Sequence, residues 1–197
     1  RQSRAVLFEI SDMLGHLFQS ATLVLLFGML SLSADAAPIT ITDLENRTIT
    51  LKETPQRIVV GNYILNFLMV GGTESLKKVV ALPQDGWQAT RFGEYTALTK
   101  SFPEIKKIPS IGGYHDNILN TEKIISLKPD LLLINKSQYA DNNKRVEVLQ
   151  KAGILTVVLD YHALTAANHT QSTKILGELL NQKSTAESLN RRYLEIA

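Results

Sequence analysis

The stretch NTEKIISLKPDLLLIN, residues 120–135, decides the fold class of this chain. Its first half has the pattern of a short helix that Asn120 or Thr121 can cap and that Pro129 ends. Three apolar residues of this helix are expected to face the core: Ile124, Ile125 and Leu127. The second half contains an unbroken apolar run, residues 131–134, which is typical of a strand buried on both faces of a parallel sheet.

Similar apolar runs recur along the chain and alternate with helical patterns. The strand-like runs lie at residues 57–61, 79–82, 131–134 and 156–159. Helical patterns lie at residues 65–70, at 144–152 and after Thr165, and Ser184 to Glu187 has the form of a capping box that starts a last helix. This alternation predicts an α/β domain whose mostly parallel sheet is flanked by helices.

A β-hairpin is predicted ahead of the first buried strand. Residues 39–42 and 48–51 alternate apolar and polar side chains, and Glu45-Asn46-Arg47 lies between them. Alternation of this kind leaves one face of the hairpin in water and the other against the protein.

Composition limits the classes of function. The chain has 197 residues, of which 44% are hydrophobic and 20% charged, an ordinary globular mixture. The net charge is only +2 and the basic residues are scattered, so no nucleic-acid partner is expected. Cysteine is absent, which excludes disulfides, thiolate metal sites, a cysteine nucleophile and the lipid-bearing cysteine of a bacterial lipoprotein.

The N-terminal part has the pattern of a targeting segment. Residues 21–32 form an apolar run that is too short for a bilayer, which needs about 20 residues, and Ala34-Asp35-Ala36 follows as a cleavage pattern. We therefore expect residues 1–36 to be upstream residues and a cleavable signal peptide, with Met13 as the start, and the mature protein to be periplasmic. The alternative is a buried or membrane-anchoring helix.

Four blocks in order carry a family resemblance. They are residues 42–60 (TDLENRTITLKETPQRIVV), 120–135, 148–160 (VLQKAGILTVVLD) and 176–193 (LGELLNQKSTAESLNRRY). Together they resemble the class III periplasmic binding proteins, which serve ABC importers of ferric siderophores, haem, cobalamin and related metal chelates. The resemblance covers nearly everything after residue 36.

The resemblance implies a two-lobe protein, monomeric when complete, in which a long helix joins two α/β lobes and the ligand lies between them. Residues 37–183 would form the N-terminal lobe, and residues 184–197 would be the truncated start of the interlobe helix. The second lobe would lie outside this sequence.

Glu122 has two readings. In the first turn of a helix, its charge favours the helix dipole by about 0.3–1 kcal/mol. The resemblance implies a second role, because family members present an acidic residue in an N-x-E-[RK] context to arginines of the permease, and Asn120-Thr121-Glu122-Lys123 matches that context.

The ligand is expected at the loops that follow the carboxyl ends of the strands, where open parallel sheets bind their ligands. Aromatic side chains there offer stiff contact area, and Arg91 can pair with an anionic oxygen. Each aromatic residue alone could instead pack beneath its loop. The candidate binding residues are Tyr63, Trp87, Arg91, Tyr114, His115, Ser137 and Tyr139.

A metal wrapped in an organic chelator suits these loops better than a bare ion. His115, His162 and His169 are separated and lack paired ligand spacing, so we predict neither a protein metal site nor a cofactor. Molybdate or tungstate stays open as an alternative ligand, since loop N–H groups can bind an oxyanion.

Motifs of an α/β enzyme are weak in this sequence. Gly71-Gly72 and Gly112-Gly113 match neither a dinucleotide fingerprint nor a P-loop, and Ser110 and Ser137 lack a nucleophile elbow. We therefore expect a binding protein and keep an α/β enzyme as the less favoured alternative.

Overall fold

The computed structural model describes residues 37–114 and 117–196. The predicted signal peptide, residues 1–36, lies outside these residues and stays a prediction. The described strands are β1 (Ile39–Thr42), β2 (Thr48–Leu51), β3 (Ile58–Val60), β4 (Val79–Ala81), β5 (Leu131–Asn135) and β6 (Leu155–Leu159).

Eight α-helices lie in the described part of the chain. They are α1 (Ile64–Gly71), α2 (Trp87–Thr90), α3 (Phe92–Ser101), α4 (Thr121–Ser126), α5 (Lys136–Asp141), α6 (Asn143–Lys151), α7 (Ala166–Leu179) and α8 (Lys183–Ile196). Two 3-10 turns, Thr73–Lys78 and Pro103–Lys107, connect elements of the β3 to β5 region.

The main sheet is parallel, in the order β4-β3-β5-β6. Its apolar strands are buried on both faces, and alternate residues enter two separate hydrophobic clusters: Ile58 and Val60 join one, while Val59 joins the other. The predicted α/β class, the predicted strands and the predicted hairpin of β1 with β2 are confirmed. Of these four strands β3 comes first along the chain, and it has β4 on one side and β5 on the other. The chain therefore changes winding direction at the carboxyl end of β3.

The stretch that decided the fold behaves largely as expected. The Asn120 side chain caps α4 by accepting a hydrogen bond from the Lys123 N–H at 3.0 Å, and Ile124 is fully buried. The prediction that Ile125 faces the core was wrong, because this side chain is 37% exposed. A helix turns by about 100° per residue, so the neighbour of a buried residue points away from the core.

Helix ends are set mainly by local hydrogen bonds. Thr165 caps α7 as predicted, with its hydroxyl accepting from the Asn168 N–H at 3.2 Å. The predicted cap of α8 at Ser184 was placed too late, since the helix begins at Lys183 and the Ala186 N–H already donates to the Gln182 carbonyl at 3.0 Å. Ser184 therefore lies inside the first turn rather than at its cap.

Candidate functional site

A cleft of about 240 Å³ lies beyond the carboxyl ends of β3 and β4. The loop after β3 forms one wall, α2 and α3 form the other, and the loop after β6 contributes one side chain. We call this the cleft; its lining residues are Val60, Gly61, Asn62, Tyr63, Ile64, Leu65, Asn66, Leu82, Pro83, Trp87, Arg91, Glu94, Tyr114 and His162.

Gly61 lets the first loop leave the sheet in close contact with β5. A Cβ atom at this position would lie 2.9 Å from the Leu133 carbonyl oxygen, to which the Gly61 N–H donates at 2.8 Å. The Gln138 amide donates to the Gly61 carbonyl at 2.9 Å and so ties α5 to the same point. The backbone that enters the cleft is therefore held on both sides.

Tyr63 begins α1 in a left-handed conformation, with a φ of 63°. Its N–H donates to the Asn62 side-chain oxygen at 2.9 Å, which supports a conformation that is uncommon outside glycine. The Tyr63 ring meets the Tyr161 and His162 rings edge-on, each with centroids 5.0 Å apart. Burial is the main reason why the pKa of Tyr63 rises to about 12, so this phenol is neutral near pH 7.

The loop after β6 is held by Asp160, which is 6% exposed. Its carboxylate accepts hydrogen bonds from the N–H groups of His162 at 3.2 Å and Ala163 at 3.1 Å, and from the Asn168 amide at 2.8 Å. These bonds fold the loop back on the start of α7 and place the His162 ring at the cleft.

Trp87 and Tyr114 form the second wall. Their rings are stacked with centroids 5.1 Å apart and an interplanar angle of 6°, and Trp87 is only 1% exposed. The Tyr95 ring packs edge-on against Trp87 at 5.5 Å. Trp87 therefore supports the Tyr114 ring in this wall and has little surface of its own for a ligand.

Glu94 joins the two stacked residues. Its Oε1 atom accepts hydrogen bonds from the Tyr114 hydroxyl at 2.8 Å and from the Trp87 indole N–H at 3.2 Å. Burial, and then the hydrogen bond to Glu94, raises the pKa of Tyr114 well above its ordinary value. The Tyr114 phenol therefore stays neutral and donates its hydrogen bond to Glu94.

Arg91 lies at the junction of α2 and α3 and is exposed at the cleft. Within residues 37–114 and 117–196, the ion pairs involve other basic groups: those of Arg47, Lys77, Lys136 and Lys183. The guanidinium is therefore available to an anionic group that enters the cleft.

The structure brings together four of the predicted binding residues: Tyr63, Trp87, Arg91 and Tyr114. Ser137 and Tyr139 do not line the cleft; they lie in α5, a helix where the sequence had suggested a loop. The physical reason is a capping box, in which the Asn135 side chain accepts from the Gln138 N–H at 2.7 Å. His115 lies outside the described residues.

Tyr139 instead contacts the hairpin, with the Arg47 guanidinium carbon 4.4 Å from its ring centroid. Among the titratable lining residues, two were not candidate binding residues in the sequence analysis, Glu94 and His162. His162 follows a strand and could have been chosen by that rule. Glu94 has no such signal, because its partner Tyr114 is 20 residues away along the chain.

Glu122 is exposed in the first turn of α4 and does not line the cleft.

In the described part of the chain, no helix has the length and apolar character needed to cross a membrane. Among the same residues, no three His, Asp or Glu side chains are grouped so that they could hold a metal ion.

Comparison with known proteins shows which proteins this chain is similar to. The chain is 30% identical over 152 residues to YvrC of Bacillus subtilis, named as an uncharacterized ABC transporter substrate-binding lipoprotein, covering 77% of this chain and 43% of YvrC. It is 29% identical over 171 residues to the Fe(3+) dicitrate-binding periplasmic protein FecB of Escherichia coli, covering 85% of this chain and 51% of FecB. No family model matches the sequence.

A solved structure agrees with these relatives. The TroA-like periplasmic binding protein FepB from Veillonella parvula superimposes with a TM-score of 0.72 at 29% identity, over 80% of this chain and 47% of FepB. The resemblance to the class III periplasmic binding proteins of iron, haem and siderophore ABC importers is thus confirmed. The chain spans about half the length of the curated relatives it matches, which corresponds to one α/β lobe.

Proposed function

We propose that this chain is the N-terminal lobe of the periplasmic substrate-binding component of an ABC importer, which binds an iron-siderophore or related metal chelate and delivers it to the permease. The observation that carries the proposal is the cleft at the carboxyl edge of the parallel sheet, where Tyr63, Trp87, Arg91 and Tyr114 meet. Its volume of about 240 Å³ is below the roughly 300–1,000 Å³ of a complete ligand pocket, as half of a two-lobe site would be.

The chemistry of the cleft suits an anionic chelate. Arg91 supplies planar, permanently charged donors for a carboxylate or another anionic oxygen. The neutral rings of Tyr63 and Tyr114 supply apolar contact for the organic shell of the chelate. The Fe(3+) dicitrate named for FecB is a ligand of this kind, and it supports an iron chelate over molybdate or tungstate.

The proposed function also gives roles to segments of the chain outside the cleft. Residues 1–36 would direct the protein to the periplasm and be removed, and α8 would begin the helix that connects the two lobes. Glu122 would meet the permease. The relatives are named as binding proteins, and we propose that this chain likewise binds and releases its ligand without chemical change or cofactor, as a monomer when complete.

The direct test is calorimetric titration of the protein with ferric dicitrate, with molybdate as the comparison ligand. Arg91→Gln should weaken ferric dicitrate binding by about 10-fold or more, because a hydrogen bond to a charged group contributes about 1.5–3 kcal/mol. Arg191→Gln makes the same charge change on α8, outside the cleft, and should leave the affinity unchanged. Equal losses in both variants, or none in either, would contradict the assigned site.

A further inference from the structure

We propose that Glu94 is the specificity-determining residue of the cleft, because it orients the Tyr114 wall and restricts where an anionic ligand can place its charge. This inference rests on the proposed function for its ligand, a chelate in the cleft. The ligand class it names is a chelate large enough to place an anionic group at Arg91 and a neutral part of its surface at Glu94, rather than a small oxyanion with charge on every side.

The Glu94 carboxylate helps to orient the Tyr114 ring. The backbone at Tyr114 and just before it is held without Glu94, because the Tyr114 N–H donates to the Asp85 carbonyl at 3.0 Å and the Asp85 N–H donates to the Gly112 carbonyl at 3.1 Å. The Tyr114 side chain stacks on Trp87 and donates a 2.8 Å hydrogen bond to Glu94, and both contacts contribute to its direction. Removing the carboxylate should therefore loosen the ring while the loop stays in place.

Glu94 and Arg91 bring opposite charges to the cleft. Glu94 is half-buried and lies one helical turn after Arg91, and both residues line the cleft. No ion pair between them is found in the described residues, and Glu94 already accepts two hydrogen bonds through one oxygen. The cleft therefore presents a cation and an anion side by side to a ligand.

An incoming ligand meets attraction at Arg91 and repulsion at Glu94. A chelate of this size can direct a carboxylate to Arg91 and lay an apolar or hydroxyl-bearing part of its surface against Tyr114 and Glu94. A compact dianion such as molybdate cannot separate its charge in this way. Because like charges brought together in an interface repel each other, Glu94 selects against such an ion.

Two substitutions separate the roles of Glu94. Glu94→Gln keeps a side-chain oxygen that can accept from Trp87 and Tyr114 but removes the charge, whereas Glu94→Ala removes both. Trp87 is the single tryptophan of the chain, so near-ultraviolet circular dichroism and tryptophan emission report on this stack without any ligand. Far-ultraviolet circular dichroism verifies that each variant is folded.

For orientation, Glu94→Gln should keep the wild-type near-ultraviolet spectrum and emission, and Glu94→Ala should change both. An unchanged spectrum in folded Glu94→Ala would overturn the positioning role. The charge has its own readout: Glu94→Gln should lower the pKa of Tyr114, followed by ultraviolet titration and assigned with Tyr114→Phe. A purely structural role would leave that pKa unmoved.

For selectivity, titration with ferric dicitrate and with molybdate gives the ratio of the two dissociation constants. Glu94→Gln should reduce the preference for ferric dicitrate by about fivefold or more, mainly by strengthening molybdate binding. An unchanged ratio would overturn the selectivity role. If the wild-type protein binds neither ligand, the proposed function fails, while the spectra and the Tyr114 titration still decide whether Glu94 positions the wall.

Discussion

At the scale of single residues, Asp43 fastens the hairpin to the parallel sheet. Its buried carboxylate accepts hydrogen bonds from the backbone N–H groups of Glu45 at 3.0 Å, Arg47 at 3.0 Å and Val158 at 3.1 Å. It also pairs with the Arg47 guanidinium, which donates in turn to the Thr156 carbonyl at 3.0 Å. One side chain thus closes the turn after β1 and joins it to β6.

Asp43→Ala should lower the free energy of unfolding by about 3–5 kcal/mol, because it leaves a partly buried guanidinium and three N–H groups without their acceptor. Urea unfolding followed by far-ultraviolet circular dichroism measures the change. The matched control is Glu74→Ala, which removes an exposed pair with Lys77 and should cost no more than about 1 kcal/mol. Similar losses of unfolding free energy in the two variants would show that Asp43 does not hold the hairpin to the sheet.

At the scale of elements, α7 and α8 pack closely through small residues. A Cβ atom on Gly177 would lie 2.5 Å from the Cβ of Ala186, a distance that carbon atoms cannot adopt without a shift. The turn between the helices is short, and the Gln182 N–H donates to the Gly177 carbonyl at 2.7 Å. The position of α8 against the lobe therefore depends on the missing side chain at Gly177.

Gly177→Ala should destabilise the protein by about 1–3 kcal/mol, since an added methyl group must push α8 away from α7. The control is Gly93→Ala in α3, where an added Cβ has no atom within 4 Å and the gain in helix propensity should be neutral or slightly stabilising. Thermal unfolding of both variants distinguishes a packing requirement from a general effect of replacing glycine. If Gly177→Ala melts no lower than Gly93→Ala, the helices do not require this contact.

A chain of aromatic rings connects the cleft with α8. The His162, Tyr63, Tyr161 and His169 rings follow each other edge-on, with successive centroids 5.0 Å apart. His169 then stacks on Tyr193 of α8, with centroids 3.8 Å apart and an interplanar angle of 9°. Burial among these rings lowers the pKa of His169 below its ordinary value.

This lowered pKa predicts a loss of stability in acid. The unfolded chain binds a proton at His169 near pH 6.5, whereas the folded protein does so only at lower pH, so the unfolded state gains protons first as the pH falls below about 6.5. The free energy of unfolding should therefore decrease between pH 7.5 and pH 5, and less so in His169→Gln.

Nuclear magnetic resonance titration of His169 measures the cause directly. Tyr193→Ala should return its pKa toward the ordinary value, because it uncovers one face of the imidazole ring. If the pKa of His169 is not lowered in the wild-type protein, or if Tyr193→Ala leaves it unchanged, stacking on α8 does not control this group.

At the scale of the whole molecule, the two proposed activities, ligand binding and permease docking, fall on different residues. The cleft is built at the carboxyl edge of the sheet, while Glu122 is exposed on α4 and is absent from the cleft lining. An exposed charge of this kind contributes modestly to affinity but strongly to the rate and choice of partner. The two activities should therefore be separable by mutation.

Glu122→Lys, placed in the complete binding protein, should reduce its stimulation of the importer's ATPase while leaving chelate affinity unchanged. Glu147→Lys on α6 is the matched control, because it reverses another exposed glutamate and should leave stimulation intact. ATPase measurements in proteoliposomes, paired with titration of the chelate, give both readouts. A loss of chelate affinity in Glu122→Lys, or equal ATPase stimulation in the two variants, would contradict the docking role.

The sequence was sufficient for features that depend on neighbours along the chain. The apolar run at residues 131–134 predicted a strand buried on both faces, and the cap at Asn120 predicted the start of α4. The strand-end rule also located Tyr63 and Tyr114 near one cleft. The burial of a strand and the capping of a helix follow short-range patterns, and such patterns can be recognised in the sequence.

Only the tertiary structure decided which of the candidate side chains meet. It placed Tyr139 beneath Arg47, away from the cleft, and it brought Glu94 to Tyr114 across 20 intervening residues. The sequence by itself therefore determined the α/β lobe and the edge of the sheet at which the candidate site lies. Tertiary packing determined the make-up of the candidate site, because hydrogen bonds and ring stacking between distant segments depend on distances and angles that residue spacing along the chain does not encode.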